Sequence, residues 1–291
     1  MSNKLSKKKN LFGLLIIFSG VFLVSFGGLV VKSFNTQNPW IILFWRQFFF
    51  SITIIIFLLF TYKKNISKLF LKSNSVSILM GFGLSFGFVA FVYSMLNTSV
   101  ANVNFINTTQ VIFLTIFSVI FLKEKININT LTSIIIAIIG IIIIFYNSFK
   151  VGDFKGNLIA FSLPLCFAAI VILVKKFPNA DLTISGLLAS IFVMIFALFN
   201  TDTIAISNHD FLLALSAGTL QTALPFIFLI IASKYISSTL IGLVMLMEAL
   251  LGPTWAYLFI NDIPSINVFV GGAFILLGVV SKLYQTFYKE S

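Results

Sequence analysis

The sequence predicts an all-α integral membrane protein, with ten transmembrane helices arranged as two inverted five-helix repeats. Three observations predict it. The chain is 59% hydrophobic and only 9% charged, whereas soluble domains carry roughly a quarter charged residues. Its lysines fall unevenly among the short segments between apolar runs. A late stretch also repeats an earlier one in register.

A bilayer core of about 30 Å needs about 20 apolar residues at 1.5 Å rise each. That ruler finds ten spans: 11–31, 39–60, 76–96, 101–122, 130–146, 156–174, 182–199, 211–232, 238–259 and 267–287. The first follows a basic cluster, Lys4 and Lys7 to Lys9, and so imitates a signal peptide. Its apolar run of about 20 residues exceeds the usual 7–15, and no small-residue cleavage pattern follows. It is expected to be a retained first helix.

The longest connection, 61–75, leaves no room for a soluble domain. With the N-terminus cytoplasmic, the inner segments hold fifteen lysines: Lys4, Lys7, Lys8, Lys9, Lys63, Lys64, Lys68, Lys72, Lys123, Lys125, Lys175, Lys176, Lys234, Lys282 and Lys289. The outer segments hold three, Lys32, Lys150 and Lys155. This bias predicts both termini inside. It also explains the net charge of +11 without a nucleic-acid partner.

A shift of 138 positions lays Glu124 on Asp262, Gln110 on Glu248, Phe121 on Phe259, Ser99 on Ser237 and Gly140 on Gly278. A register shared over some forty residues, polar punctuation included, points to internal duplication. The chain then divides into 1–148 and 149–291. Five spans per half is an odd number, so the copies lie upside down relative to each other. The Glu124 turn falls inside and the Asp262 turn outside. The first spans of the halves align more loosely, Gly13 near Gly156 and Ser19 near Ser162.

Polar residues inside the spans are the candidate functional positions, because they are expensive in hydrocarbon. Glu248 lies roughly 15 Å deep in span nine and is followed by an expected helix break at Gly252-Pro253. It reads either as a neutral acid bonding a neighbouring helix or as a cavity residue that meets a substrate cation or carries a proton. Arg46, the only arginine, lies roughly 11 Å deep in span two, and a pairing with Glu248 is open. Span four carries Asn102, Asn104, Asn107, Thr108, Thr109 and Gln110. One amide-rich helical face suits a wet cavity wall, with interhelical packing as the alternative. Gln221 and Thr222, near Pro225, give span eight a similar spot. Tyr93, Trp45 and Trp255 are deep aromatics that stack either on a planar solute or on their neighbours. Gly81, Gly83 and Gly87 suit close packing of span three, or a homodimer seam.

Several classes are excluded. One cysteine, Cys166, allows no internal disulfide and no cysteine zinc cluster, and one histidine, His209, lies between spans. No nucleophile–base pair is available for an intramembrane enzyme. No phosphate loop for ATP-driven pumping is present. No metal or cofactor is expected.

The chain resembles the drug/metabolite transporter superfamily, EamA-like family. The resemblance rests on Met247-Glu248-Ala249-Leu250-Leu251-Gly252-Pro253-Thr254-Trp255-Ala256-Tyr257-Leu258-Phe259, then Asp262, Pro264 and Gly271-Gly272. Where the family has Gly-Glu, this chain has Asn261-Asp262, and the first copy's Leu122-Lys123-Glu124 also lacks the glycine. Arg46, in Phe44-Trp45-Arg46, resembles the family's span-two arginine. The resemblance implies a metabolite transporter of the bacterial inner membrane, working by alternating access and coupled to protons or facilitative. The resemblance allows export or import, with export the expected direction; the residues themselves favour a small zwitterionic or cationic solute, an amino acid or amine first. The expected site is Glu248, Arg46, Gln110, Asn107, Asn104, Tyr93, Gln221 and Trp255.

Overall fold

The computed structural model describes residues 2–62, 75–123, 128–151, 153–177, 181–236, 241 and 244–290. The helices are α1 (Ser2–Ser25), α2 (Gly27–Lys32), α3 (Pro39–Tyr62), α4 (Ser75–Asn97), α5 (Val100–Thr108), α6 (Gln110–Leu122) and α7 (Ile128–Val151). They continue as α8 (Phe154–Ala160), α9 (Ser162–Lys176), α10 (Leu182–Asn200) and α11 (Asn208–Ser216), then a π-helical segment, Ala217–Ala223. The last three are α12 (Leu224–Ala232), α13 (Met247–Ile260) and α14 (Ile266–Glu290). No strand occurs among the described residues.

Helix is what an apolar chain must adopt in lipid, where each backbone polar group needs an internal partner. Among the described residues seven helices are long and apolar enough to cross a membrane, matching spans one to four and six to eight. Shorter apolar helices, Leu131–Tyr146 and Ile266–Ser281, stand where spans five and ten are expected. Span nine falls partly on residues 237–240 and 242–243, and the Glu124 turn on 124–127, outside the described residues. Large apolar side chains such as Phe60 and Phe199 face outward, as in a bundle whose solvent is lipid.

The interruptions differ from the expected ones. Span one breaks at Phe26, span four at Thr109 and span six at Phe161. In span eight, Pro225 lacks the N–H that the Gln221 carbonyl would accept, and the preceding turn widens into a π-helix. Gly252-Pro253 is not a break: α13 runs through it, and the interruption falls earlier, at Leu246. A neighbour supports the backbone here, because Asn104 Nδ2 donates to the Glu248 carbonyl at 3.3 Å. Gly252 makes that approach workable, since a Cβ there would meet the Asn104 amide.

Helices α7 and α14 form an extensive pair. A side chain on Gly140 would strike the Gly271 carbonyl, and one on Gly278 the Ser133 carbonyl. Ser133 and Ser281 bond through their hydroxyls at 3.1 Å. Residue numbers fall along one helix as they rise along the other, so the pair runs antiparallel. The two glycine contacts are the same contact twice: adding 138 to Gly140 and Ser133 gives Gly278 and Gly271.

Helices α6 and α13 also end alike. Lys123 (φ 56°) and Asn261 (φ 52°) are the positive-φ residues other than glycine among those described, and they too stand 138 apart. The Lys123 N–H bonds to the Ser118 carbonyl and the Asn261 N–H to the Ala256 carbonyl, one left-handed cap in both places.

One end of the bundle is tied by polar side chains. Lys32 Nζ lies 3.0 Å from Asp262 Oδ2, which also accepts from the Val100 N–H at 2.8 Å. Thr98 donates to Asn157 Oδ1 at 2.8 Å and accepts from Asn102 at 2.6 Å. Asp210 accepts from the Asn35 and Thr36 N–H groups at 2.8 and 3.0 Å. Asp153 accepts from Asn102 at 3.3 Å. Burial pushes the Asp153 carboxyl above its ordinary value, against the opposing charge of Lys32.

Candidate functional site

A cavity of about 250 Å³ opens between the two halves of the chain. Both contribute polar groups to it: Arg46, Asn107 and Gln110 from the first, Gln221, Thr222 and Glu248 from the second. The rest of the lining is apolar, with Val21, Leu84, Phe88, Phe91 and Phe167 representative. Gln110 and Glu248, equivalent under the 138-residue shift, both line it.

Arg46 is the most constrained group. It is 3% exposed, on α3, and its Nε donates to Thr222 Oγ1 at 3.1 Å and its Nη2 to Gln221 Oε1 at 3.3 Å. Thr222 and Gln221 stand on the π-helical segment, and the Thr222 hydroxyl lies 2.7 Å from the Ala217 carbonyl, five residues back. The widened turn thus presents two successive oxygens to one guanidinium, an example of a π-helix at a polar site. The guanidinium lies 5.1 Å from the Phe91 ring centroid and 5.9 Å from that of Phe88. Nη1 is buried with no hydrogen-bond partner among the described residues.

Glu248 opens α13. Among the described residues no hydrogen bond or ion pair reaches its carboxyl group, and none joins it to Arg46. Its helix is held by Asn104, through the backbone bond described above.

The amide face of span four divides its work. Asn107 and Gln110 line the cavity, Asn104 supports α13, and Asn102 belongs to the tied end. The kink at Thr109 lies between Asn107 and Gln110. Tyr93 is not in this cavity. It packs edge-on to Trp40 at 5.4 Å and lines a second, apolar one of about 390 Å³ with Phe86, Ile159 and Ser162. Trp255 donates to Ser25 Oγ at 2.9 Å and stacks on Phe26 at 4.8 Å, bracing the break in span one. Trp45 donates to the Ile204 carbonyl at 2.8 Å. Gly81 packs on Ser185 and Leu188 of α10, and Gly87 approaches Cys166, so these glycines serve contacts within the chain.

Some polar residues carry no clear sequence signal. Gln47, beside Arg46, is fully buried, and neither amide atom is paired among the described residues. The Lys32–Asp262 pair joins residues on two connections, and neither one's partner is readable from spacing.

Fold and cavity define a multi-pass α-helical membrane protein with a largely apolar chamber that carries a few polar groups. The chain belongs to the EamA-like transporter family, whose model matches twice, over residues 11–146 and 154–283. This family consists of membrane transporters of the drug/metabolite type, not of enzymes. A solved chain described only as "Crystal structure of protein" is 13% identical, with a TM-score of 0.63 over 94% of this chain and 97% of its own. That likeness shows a shared fold. No curated protein matches.

Proposed function

We propose that the protein is a secondary-active or facilitative transporter that moves a small polar metabolite, an amino acid or amine, by alternating access. The observation that carries this reading is the cavity: opposite charges and amides from both halves meet in one apolar chamber. The doubled family match, the paired left-handed caps and the twice-made glycine contact support two inverted five-helix repeats, divided near 148. Equivalent helices packing antiparallel is what an inverted duplication produces. The lysine bias supports cytoplasmic termini in a bacterial inner membrane.

In that orientation the tied end is the outer one. The cavity reaches inward, toward Ile17, Ile170, Leu229 and Met245, so the conformation is closed outside and open toward the cytoplasm. Glu248 meets the substrate's cationic group or carries the coupling proton. Export follows if substrate loads from this side.

Cys166, the chain's only cysteine, lines the cavity and supplies the test. An impermeant maleimide should modify it from the cytoplasmic face of inverted vesicles and not from the external face of right-side-out ones. Breaking the outer tie with Asp262→Ala should raise external labelling. Cys166 also borders the second cavity, so the assigned state would be overturned by external labelling of the unaltered protein that persists when Tyr93→Trp fills that second cavity.

A further inference from the structure

The transport reading leaves open whether the solute is a cation or a zwitterion, and on that reading we infer that the cavity takes a neutral α-amino acid, its carboxylate held at Arg46 and its ammonium at Glu248. Arg46 decides the matter. Its two paired nitrogens bond to a hydroxyl and an amide oxygen, which orient the guanidinium without neutralising it. The third, Nη1, is buried and unpaired. A structural arginine at this depth would carry a carboxylate partner, because removing a lone charge from water costs several kcal/mol. The Phe88 and Phe91 faces offset part of that cost, but a ring face does not replace an anion.

The one carboxyl group in the same chamber does not supply that anion: Glu248 lines the cavity and makes no ion pair with Arg46. Two side chains of opposite charge, Arg46 and Glu248, share one largely apolar cavity without pairing. The solute that satisfies both carries both. A simple amine would pair with Glu248 and add a second cation beside Arg46. A simple carboxylic acid would do the reverse. A phosphate would bring excess negative charge against Glu248. The remaining walls, Val21, Val24, Leu84, Leu163 and Phe167 among them, offer no further charge. They suit an uncharged, apolar side chain. Gln221 and Thr222 are positioning residues, since they act through the guanidinium.

The test is a three-way comparison on detergent-purified protein. Leucine, its decarboxylated amine and its deaminated acid are titrated by calorimetry, and valine and methionine with their corresponding amines and acids follow. The zwitterion should bind at least about tenfold tighter than either partner, the scale of one hydrogen bond to a charged group. Arg46→Gln should erase the preference over the amine, and Glu248→Gln the preference over the acid. Should Arg46→Gln not fold, Arg46→Lys should keep the sign of the preference and shrink it. An amine binding as tightly as its amino acid to the unaltered protein would overturn the pole assignment. Flux of the amine alone in proteoliposomes would sink this inference and leave the transport reading standing. Absence of binding and of flux for all three classes would count against both.

Discussion

Spans four and nine share a register 138 residues apart and are put to different uses. Both are interrupted near the middle, at Thr109 and at Leu246, and both end in a left-handed residue, Lys123 or Asn261. They bring equivalent side chains, Gln110 and Glu248, to the same cavity. What differs is the charge. One copy offers a neutral amide and the other a carboxyl, so a symmetric frame holds an asymmetric site. Arg46 sharpens the asymmetry, because the π-helical segment that holds it lies in the other half. The comparison teaches that matched segments can frame one chamber while differences at a few positions set its chemistry.

The largest expected effect is the one that breaks this asymmetry. Glu248→Gln should weaken substrate binding roughly 10- to 100-fold, the range for a hydrogen bond to a charged group. Gln110→Leu should cost less than about tenfold. Equal losses, measured by calorimetry, would mean that the copies contribute alike.

The next prediction sharpens the symmetric side. Gly140→Ala and Gly278→Ala each push a methyl into a backbone carbonyl of the opposing helix. Both should destabilise the protein by about 1–3 kcal/mol, as overpacking does, and by similar amounts. A thermal-unfolding difference between them larger than either effect would break the equivalence of the two contacts.

Smaller effects belong to the caps. Lys123→Gly should stabilise by about 0.5–1 kcal/mol, because a side chain in the left-handed region is strained and glycine is not. Asn261→Gly should gain less, since asparagine tolerates that region. The smallest effect concerns the tied end. The Asp153 carboxyl is held above its ordinary value of 3.8, so its ionised form is disfavoured in the folded state. Stability should therefore fall slightly as pH rises through that window. Asp153→Asn should make the fall shallower in melting curves taken above pH values of about 4.

The helical class and most of the apolar spans were legible because lipid imposes them: span length and apolar composition are averages over many residues. Arg46, Glu248, Gln110, Asn107 and Gln221 stood out as polar groups in apolar runs, and the structure brings these five to one chamber. Depth did not reveal direction. Tyr93 and Trp255 lie at suitable levels but turn toward Trp40 and toward Ser25 and Phe26. The amides of span four looked like one wall because helical spacing puts several on one face. Which amide bonds to a neighbour depends on packing that spacing does not encode. Proline was read too simply. Pro225 stands beside a widened π-helical turn and Pro253 lies inside an unbroken helix, so a proline in the sequence marks a freed carbonyl and not the form of the backbone around it.

The most direct measurement of the central claim is counterflow in proteoliposomes, with labelled neutral amino acids exchanged against an internal pool. The unaltered protein should accumulate label that excess unlabelled amino acid displaces, while Glu248→Gln, inserted to the same level, should not. Label accumulating equally in both would remove Glu248 from the path. Accumulation in neither, with a folded protein and a panel that also includes amines, would contradict a metabolite transporter built on this cavity.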